Sequence, residues 1–161
     1  MIEAIADLPF REQPVLELLD LATDRDEPNH DYAGYGWARV PKLWLVDADK
    51  RERAVDDVLL LALHTADDTP ELADDLELEL DLPDGAIAVR ASKFFSVWLP
   101  KLPRDAGAIV LAVCNPHASR IALPAEATSP LHVPTGDVTA WRDRDTGAIK
   151  LVAEAWNKVM R

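Results

Sequence analysis

The fold class is decided by the stretch LELELDLPDGAIAVRA, residues 76–91. From Leu76 to Leu82, leucine alternates with an acidic residue, and this period of two predicts a strand with one apolar and one acidic face. The Pro-Asp-Gly sequence at 83–85 is typical of a turn, and apolar residues then alternate again as far as Ala91. The stretch therefore predicts a β-hairpin.

The register of this hairpin follows from its two faces. A loop of residues 83–86 would place Leu82 opposite Ile87 and Glu79 opposite Arg90. A shift by one residue would set acidic side chains against the apolar row, so we expect the first register.

The chain before the hairpin predicts a short helix over 14–22, with a strand as the alternative, and a short buried strand over 39–46. The strongest helix signal follows at 49–63, where Asp49 and Glu52 have the spacing of a capping box. Its expected core stripe consists of Val55, Val58, Leu59, Ala62 and Leu63.

The chain after the hairpin predicts mainly strands. In order, we expect a helix or strand over 92–99, a central strand over 106–114, an extended segment over 119–123, a surface loop over 124–136, a hairpin over 138–151 and a tail with helical spacing over 152–160. Strands that follow one another without alternating helices favour an α+β fold. We therefore expect a single domain over residues 1–161, with a largely antiparallel sheet of about five to seven strands and two to four helices.

Charge is distributed unevenly along the chain. The formal net charge is −12. Residues 1–91 contain 23 acidic and 8 basic residues, whereas residues 92–161 contain 6 acidic and 9 basic residues. A strongly acidic chain disfavours nucleic acid and anionic membranes as partners and is compatible with a basic protein partner.

The densest acidic region predicts a partner-binding surface. We define the acidic face as Asp74, Asp75, Glu77, Glu79 and Asp81. Complementary charge on such a face would steer the encounter with a basic protein. The alternative is a solvated strand face whose charge discourages association between sheet edges.

A second candidate site combines Cys114 with His117, because a thiolate beside an imidazole is a workable nucleophile. The alternative is a buried cysteine that ends a core strand, with His117 in the following turn. Cys114 is the only cysteine, which excludes an intrachain disulfide. Because the chain also shows no basic signal region and no apolar run of membrane-spanning length, we expect a cytoplasmic protein.

Two further loops carry polar or aromatic residues. Tyr32, Tyr35 and Trp37 lie among glycines, where they could cover a ligand or anchor a partner; alternatively their rings fill the core. Ligands for a hard metal could come from Asp24, Asp26, Asn29, His30 and Asp31, but their spacing is not that of an EF-hand, and the alternative is a solvated polar loop. No nucleotide-binding or zinc motif occurs, so we expect neither a metal nor a cofactor.

Three functional hypotheses follow. The first is a non-enzymatic protein-interaction module, such as an inhibitor, an immunity-type protein or an adaptor, that docks through the acidic face. The second is a small-molecule enzyme that uses Cys114 and His117. The third is a ligand-binding domain in which the aromatic loop forms a lid.

Overall fold

Strands form most of the architecture. The computed structural model describes residues 11–19, 21, 36–62, 64–65, 77–82, 85–102, 106–112, 130–135, 138–143 and 145–159. Among these residues, a seven-stranded and a three-stranded sheet are accompanied by two short α-helices and one 3-10 helix. The expected α+β class is therefore confirmed.

The elements follow one another in this order: α1 (Val15–Leu18), β1 (Gly36–Val46), β2 (Glu52–Ala62), β3 (His64–Thr65), β4 (Glu77–Leu82), β5 (Gly85–Arg90), α2 (Ala91–Trp98), a 3-10 helix (Leu99–Lys101), β6 (Ala108–Ala112), β7 (Leu131–Thr135), β8 (Thr139–Arg142), β9 (Ile149–Val152) and β10 (Ala155–Val159).

The large sheet is mixed, and the expectation of a largely antiparallel sheet was wrong. Its strand order is β10-β7-β6-β2-β1-β9-β8. The pairs β1–β2, β7–β10 and β8–β9 are antiparallel, whereas β2–β6, β6–β7 and β1–β9 are parallel. Only β1–β2 and β8–β9 are hairpins between consecutive strands. Long segments of chain separate β2 from β6 and β6 from β7, as parallel pairing requires.

The centre of this sheet is buried on both faces. All five residues of β6 are buried, as the continuous apolar run at 106–114 predicted. Val58, Leu60 and Ala62 of β2 belong to one core cluster, and the intervening Leu59 and Leu61 are also buried. Alternate residues of a strand lie on opposite faces, so both faces of the sheet are covered here.

The region expected to form the strongest helix is instead β2, which pairs with β1 along its length. In both β1 and β2, the alternation between core and exposed positions shifts by one residue, and it does so at the same level of the sheet. Val40 and Leu43 share the core cluster, and so do Val55 and Val58, while the two residues between each of these pairs are exposed. This phase change creates a spacing of three between core residues, which is also the spacing of a helix.

The phase change is centred on Asp57, which has a φ of +53°. Asp tolerates this left-handed conformation better than most residues. Its register position faces Pro41, which has no N–H to donate to a ladder. The Asp57 carbonyl instead accepts a hydrogen bond from Gly107 N at 2.8 Å, and its carboxylate accepts one from Arg39 at 2.9 Å. Asp57 thus connects β2 to the segment that leads into β6.

The hairpin predicted at 76–91 is present as β4 and β5, but its loop is shorter than expected. Leu82 pairs with Gly85, Leu80 with Ile87, and Glu77 with Arg90. The register is displaced by two residues from the expected one, so leucines of β4 still pair with apolar residues of β5, Leu80 with Ile87 and Leu78 with Val89.

The large sheet curls strongly. β9 and β10 are joined by Ala153 and Glu154 alone, yet they stand five positions apart in the strand order. In a flat sheet these strands would be about 24 Å apart, and the link spans at most about 10 Å. Ala153 N and the Trp156 indole both donate hydrogen bonds to Val46 O. The edge strand β10 therefore returns to the end of β1.

Two further expectations were wrong, and one was confirmed. The tail expected to be helical contains β10, and the surface loop expected at 124–136 contains β7, of which Leu131 to Pro134 are buried. The hairpin at 138–151 is present as β8 and β9.

Candidate functional site

The acidic face is only partly within the described residues. Glu77, Glu79 and Asp81 occupy alternate positions of β4, which is the middle strand of the small sheet. Alternate positions share one face of a strand. Asp74 and Asp75 lie outside the residues that the structure describes.

The residues opposite these acids are mostly small. Glu79 pairs with Ala88 and Asp81 with Ala86, so the cross-strand positions carry no basic residue there. Glu77 pairs with Arg90, and β3 places His64 opposite Glu79. The register therefore brings one arginine opposite three acidic positions.

Acidic residues on the large sheet are arranged differently, since several lie beside a base. Asp57 contacts Arg39 at 2.9 Å, Asp56 contacts Lys42 at 3.8 Å, and Glu52 contacts Lys150 at 2.7 Å. These pairs reduce the local negative charge of the large sheet, although exposed ion pairs contribute little to stability.

The other residues singled out from the sequence are only partly placed. Cys114, His117, Tyr32 and Tyr35, together with the polar segment 24–31, lie outside the described residues. No group of three or more potential metal ligands occurs in the part of the chain that the structure describes. No described helix is long and apolar enough to cross a membrane.

Trp37 lies in strand β1 and not in a loop. Its side chain is half-buried. Its backbone N–H donates a hydrogen bond to Arg11 O at 3.1 Å, and its backbone carbonyl accepts one from Gln13 N at 2.9 Å. The neighbouring Gly36 makes this contact possible, because a Cβ there would lie 2.6 Å from Arg11 O. Trp37 is thus fixed by the segment that precedes α1.

A cavity of about 220 Å³ lies where the sheet curls back on itself, and we call it the seam cavity. It is lined by Leu45, Asp47, Arg51, Glu52, Arg53 and Trp156. β6 pairs only with residues 58–62 of β2, so the first half of β2, which carries Glu52 and Arg53, extends beyond the start of β6. Arg53 also contacts His132 of β7.

His132 and Arg53 form the polar contact beneath this cavity. Arg53 donates a hydrogen bond to His132 Nδ1 at 3.1 Å, because a guanidinium can only donate. Burial, together with the positive charges of Arg53 and Lys158, lowers the pKa of His132 from 6.5 to about 4. The imidazole is therefore neutral at pH 7, with its proton on Nε2, and it orients Arg53 without neutralising it.

The two carboxylates of the cavity already have partners. Asp47 Oδ1 accepts hydrogen bonds from Asp49 N and Arg51 N at 2.9 and 3.0 Å. Glu52 is paired with Lys150, whose ammonium also lies 5.1 Å from the centre of the Trp141 ring. The positive charges of the two arginines are thus only partly offset within the cavity.

Sequence reasoning missed the seam cavity. Its lining residues come from β1, from β2, from the turn between them and from β10. The strand at β1 was expected, but β2 was expected to be a helix and β10 to be part of a helical tail. A weak signal was present in Arg51 and Arg53, which are spaced two apart as on one face of a strand. Only the strand register brings this face to His132 and Trp156.

Comparisons with models of protein families, with curated proteins and with solved structures gave no significant match.

Proposed function

We propose that this chain is a non-enzymatic interaction module that docks a basic protein through the acidic face. The observation that carries the proposal is the register of β4, which places Glu77, Glu79 and Asp81 on one face with alanines opposite two of them. The same region belongs to the half of the chain with 23 acidic and 8 basic residues.

The distribution of bases supports this choice of surface. Acids of the large sheet lie beside Arg39, Lys42 or Lys150. The acidic face has one arginine in register with its three acidic strand positions. Negative potential is therefore expected to be strongest there, and it would accelerate the encounter with a positively charged partner.

The test measures binding of an octa-arginine peptide by titration calorimetry at low and at physiological salt. A variant with Glu77→Gln, Glu79→Gln and Asp81→Asn removes three charges from the face. Its matched control carries Asp49→Asn, Asp56→Asn and Asp145→Asn, which removes three charges from exposed positions elsewhere.

We expect the acidic-face variant to lose about tenfold or more in affinity at low salt and the control to lose about twofold, because nearby charges dominate an electrostatic encounter. Equal losses in the two variants would show that the peptide senses net charge alone, and they would overturn the proposal. Binding that does not weaken with salt would also overturn it.

A further inference from the structure

We propose that the seam cavity binds a small organic oxyanion, a carboxylate or phosphate monoester carried on a flat apolar group. This site is separate from the acidic face. Its lining combines Arg51 and Arg53 with two carboxylates, of which Glu52 is paired with Lys150 and Asp47 accepts hydrogen bonds from backbone N–H groups. A volume of about 220 Å³ lies below the range of about 300–1,000 Å³ typical of drug-sized ligands, so the occupant is small.

Arg51 and Arg53 provide the anion-binding groups. Neither forms an ion pair within the residues that the structure describes. A guanidinium has five N–H donors, and the contact with His132 uses one hydrogen bond of Arg53. The remaining donors suit the paired oxygens of a carboxylate or phosphate, which arginine binds in a bidentate manner.

The partner of Arg53 decides the charge of the site. A carboxylate in the place of His132 would orient the guanidinium equally well but would cancel its charge. The buried imidazole orients Arg53 and leaves its positive charge available to a ligand. The charge of Lys158, which acts on His132 from the adjacent strand β10, adds to the positive potential.

Trp156 and Leu45 provide the apolar wall. The Trp156 indole is half-buried and donates a hydrogen bond to Val46 O at 3.2 Å, which fixes the orientation of the ring. A fixed indole presents a flat surface on which an aromatic or similarly flat group can stack. Arg51, Arg53 and Trp156 line the same cavity, so one small molecule can contact all three residues.

The test uses the indole N–H resonance of Trp156 in the ¹⁵N-labelled protein, identified by its loss in Trp156→Phe. The probes are benzoate, phenyl phosphate, inorganic phosphate and benzyl alcohol. We expect saturable shifts with benzoate or phenyl phosphate, and the stronger of the two identifies the oxyanion. We expect none with benzyl alcohol, which has the ring but no charge.

Three variants locate the charge. Arg53→Gln and Arg51→Gln should each weaken binding by about tenfold, the loss expected for a charge-assisted hydrogen bond. Arg51→Gln should disturb the fold less than Arg53→Gln, because the Arg51 side chain forms no hydrogen bond within the described part of the chain. The exposed Arg142→Gln, on β8, is the matched control and should change the affinity by less than about twofold.

Several outcomes would overturn the inference. The absence of a saturable shift with either aromatic anion would show that the cavity does not bind them. An equal loss of affinity in Arg142→Gln would show that the attraction is non-specific. Inorganic phosphate that binds as tightly as phenyl phosphate would show that the ring of Trp156 contributes nothing. None of these results depends on whether the acidic face binds a basic protein.

Discussion

At the scale of single residues, His132 has the most distinctive environment among the described side chains. It is 5% exposed, and it accepts a hydrogen bond from Arg53. Desolvation penalises the charged imidazolium, and the neighbouring Arg53 and Lys158 add to this effect, so the pKa falls to about 4. One neutral ring thus links strand β7 to the wall of the seam cavity.

This residue predicts how stability depends on pH. The pKa of His132 is about 4 in the folded protein and 6.5 in the unfolded chain. Between these values the unfolded chain binds a proton that the folded protein does not bind, so the free energy of unfolding falls as the pH drops below 6.5. From pH 7.5 to pH 5.0 the expected loss is about 2 kcal/mol, at about 1.4 kcal/mol per pKa unit.

Urea unfolding of the wild type and of His132→Gln at these two pH values measures the effect. Glutamine can still accept a hydrogen bond from Arg53 through its side-chain carbonyl, but it does not titrate. The wild type should lose about 2 kcal/mol more than the variant between pH 7.5 and 5.0. Equal losses would show that His132 is not held neutral by the fold.

Gly36 gives a second prediction at this scale. Its φ is +153°, and a Cβ would lie 2.6 Å from the Arg11 carbonyl oxygen. Gly36→Ala should therefore lower the free energy of unfolding by about 2–3 kcal/mol. At Gly107 an added Cβ would meet its neighbours no closer than 3.5 Å, and Gly107→Ala should cost less than about 1 kcal/mol. Similar losses at the two positions would contradict the contact with Arg11.

At the scale of elements, the turn between β1 and β2 is organised by Asp47. Its carboxylate accepts hydrogen bonds from two backbone N–H groups in the turn, and Lys50 adopts a φ of +62°. Asp47→Ala should destabilise the protein by about 1–2 kcal/mol. The matched control is Asp49→Ala, whose exposed side chain forms no hydrogen bond within the described residues. Chemical denaturation that gives the two variants the same stability would contradict this role.

The β1–β2 hairpin also shows why sequence periodicity failed at 49–63. The phase change at Asp57 places Val55 and Val58 in one core cluster, three residues apart. Burial on both faces then makes every residue of 58–62 apolar, and such a run does not distinguish a strand from a buried helix. Asp49 and Glu52, whose spacing suggested a helix cap, lie in the turn and at the start of β2.

Other elements were predictable because one face of a strand is polar or because the chain turns sharply. The alternation at 76–82 predicted β4, and the Asp-Thr-Gly turn at 145–147 predicted the β8–β9 hairpin. The segments that became β7 and β10 have neither signal. His132 stands between prolines, and Trp156 lies in a segment with helical spacing.

At the scale of the whole molecule, the sheet order could not be derived from the sequence. Parallel pairing of β2, β6 and β7 depends on contacts between segments that are far apart in the chain. The curl that brings β10 to β1 depends in turn on this order. The seam cavity is a consequence of both, whereas the acidic face depends on one strand and was therefore visible in the sequence. The expectation of a single domain stays a prediction.

The two proposed sites divide the surface by charge. The large sheet offsets several of its acids with bases and exposes two arginines at the seam cavity. The small sheet concentrates acidic positions on β4. A basic protein and a small anion would thus be expected to bind at different places and independently of each other.

Chemical-shift mapping with the octa-arginine peptide tests the central claim most directly. If the acidic face is the docking surface, addition of the peptide at physiological salt will shift backbone amide resonances of β4 and β5, and those of Asp49, Asp56 and Asp145 will stay in place. Shifts of similar size at these three acids would contradict the claim, because the peptide would then respond to the net charge of −12 and not to a defined face.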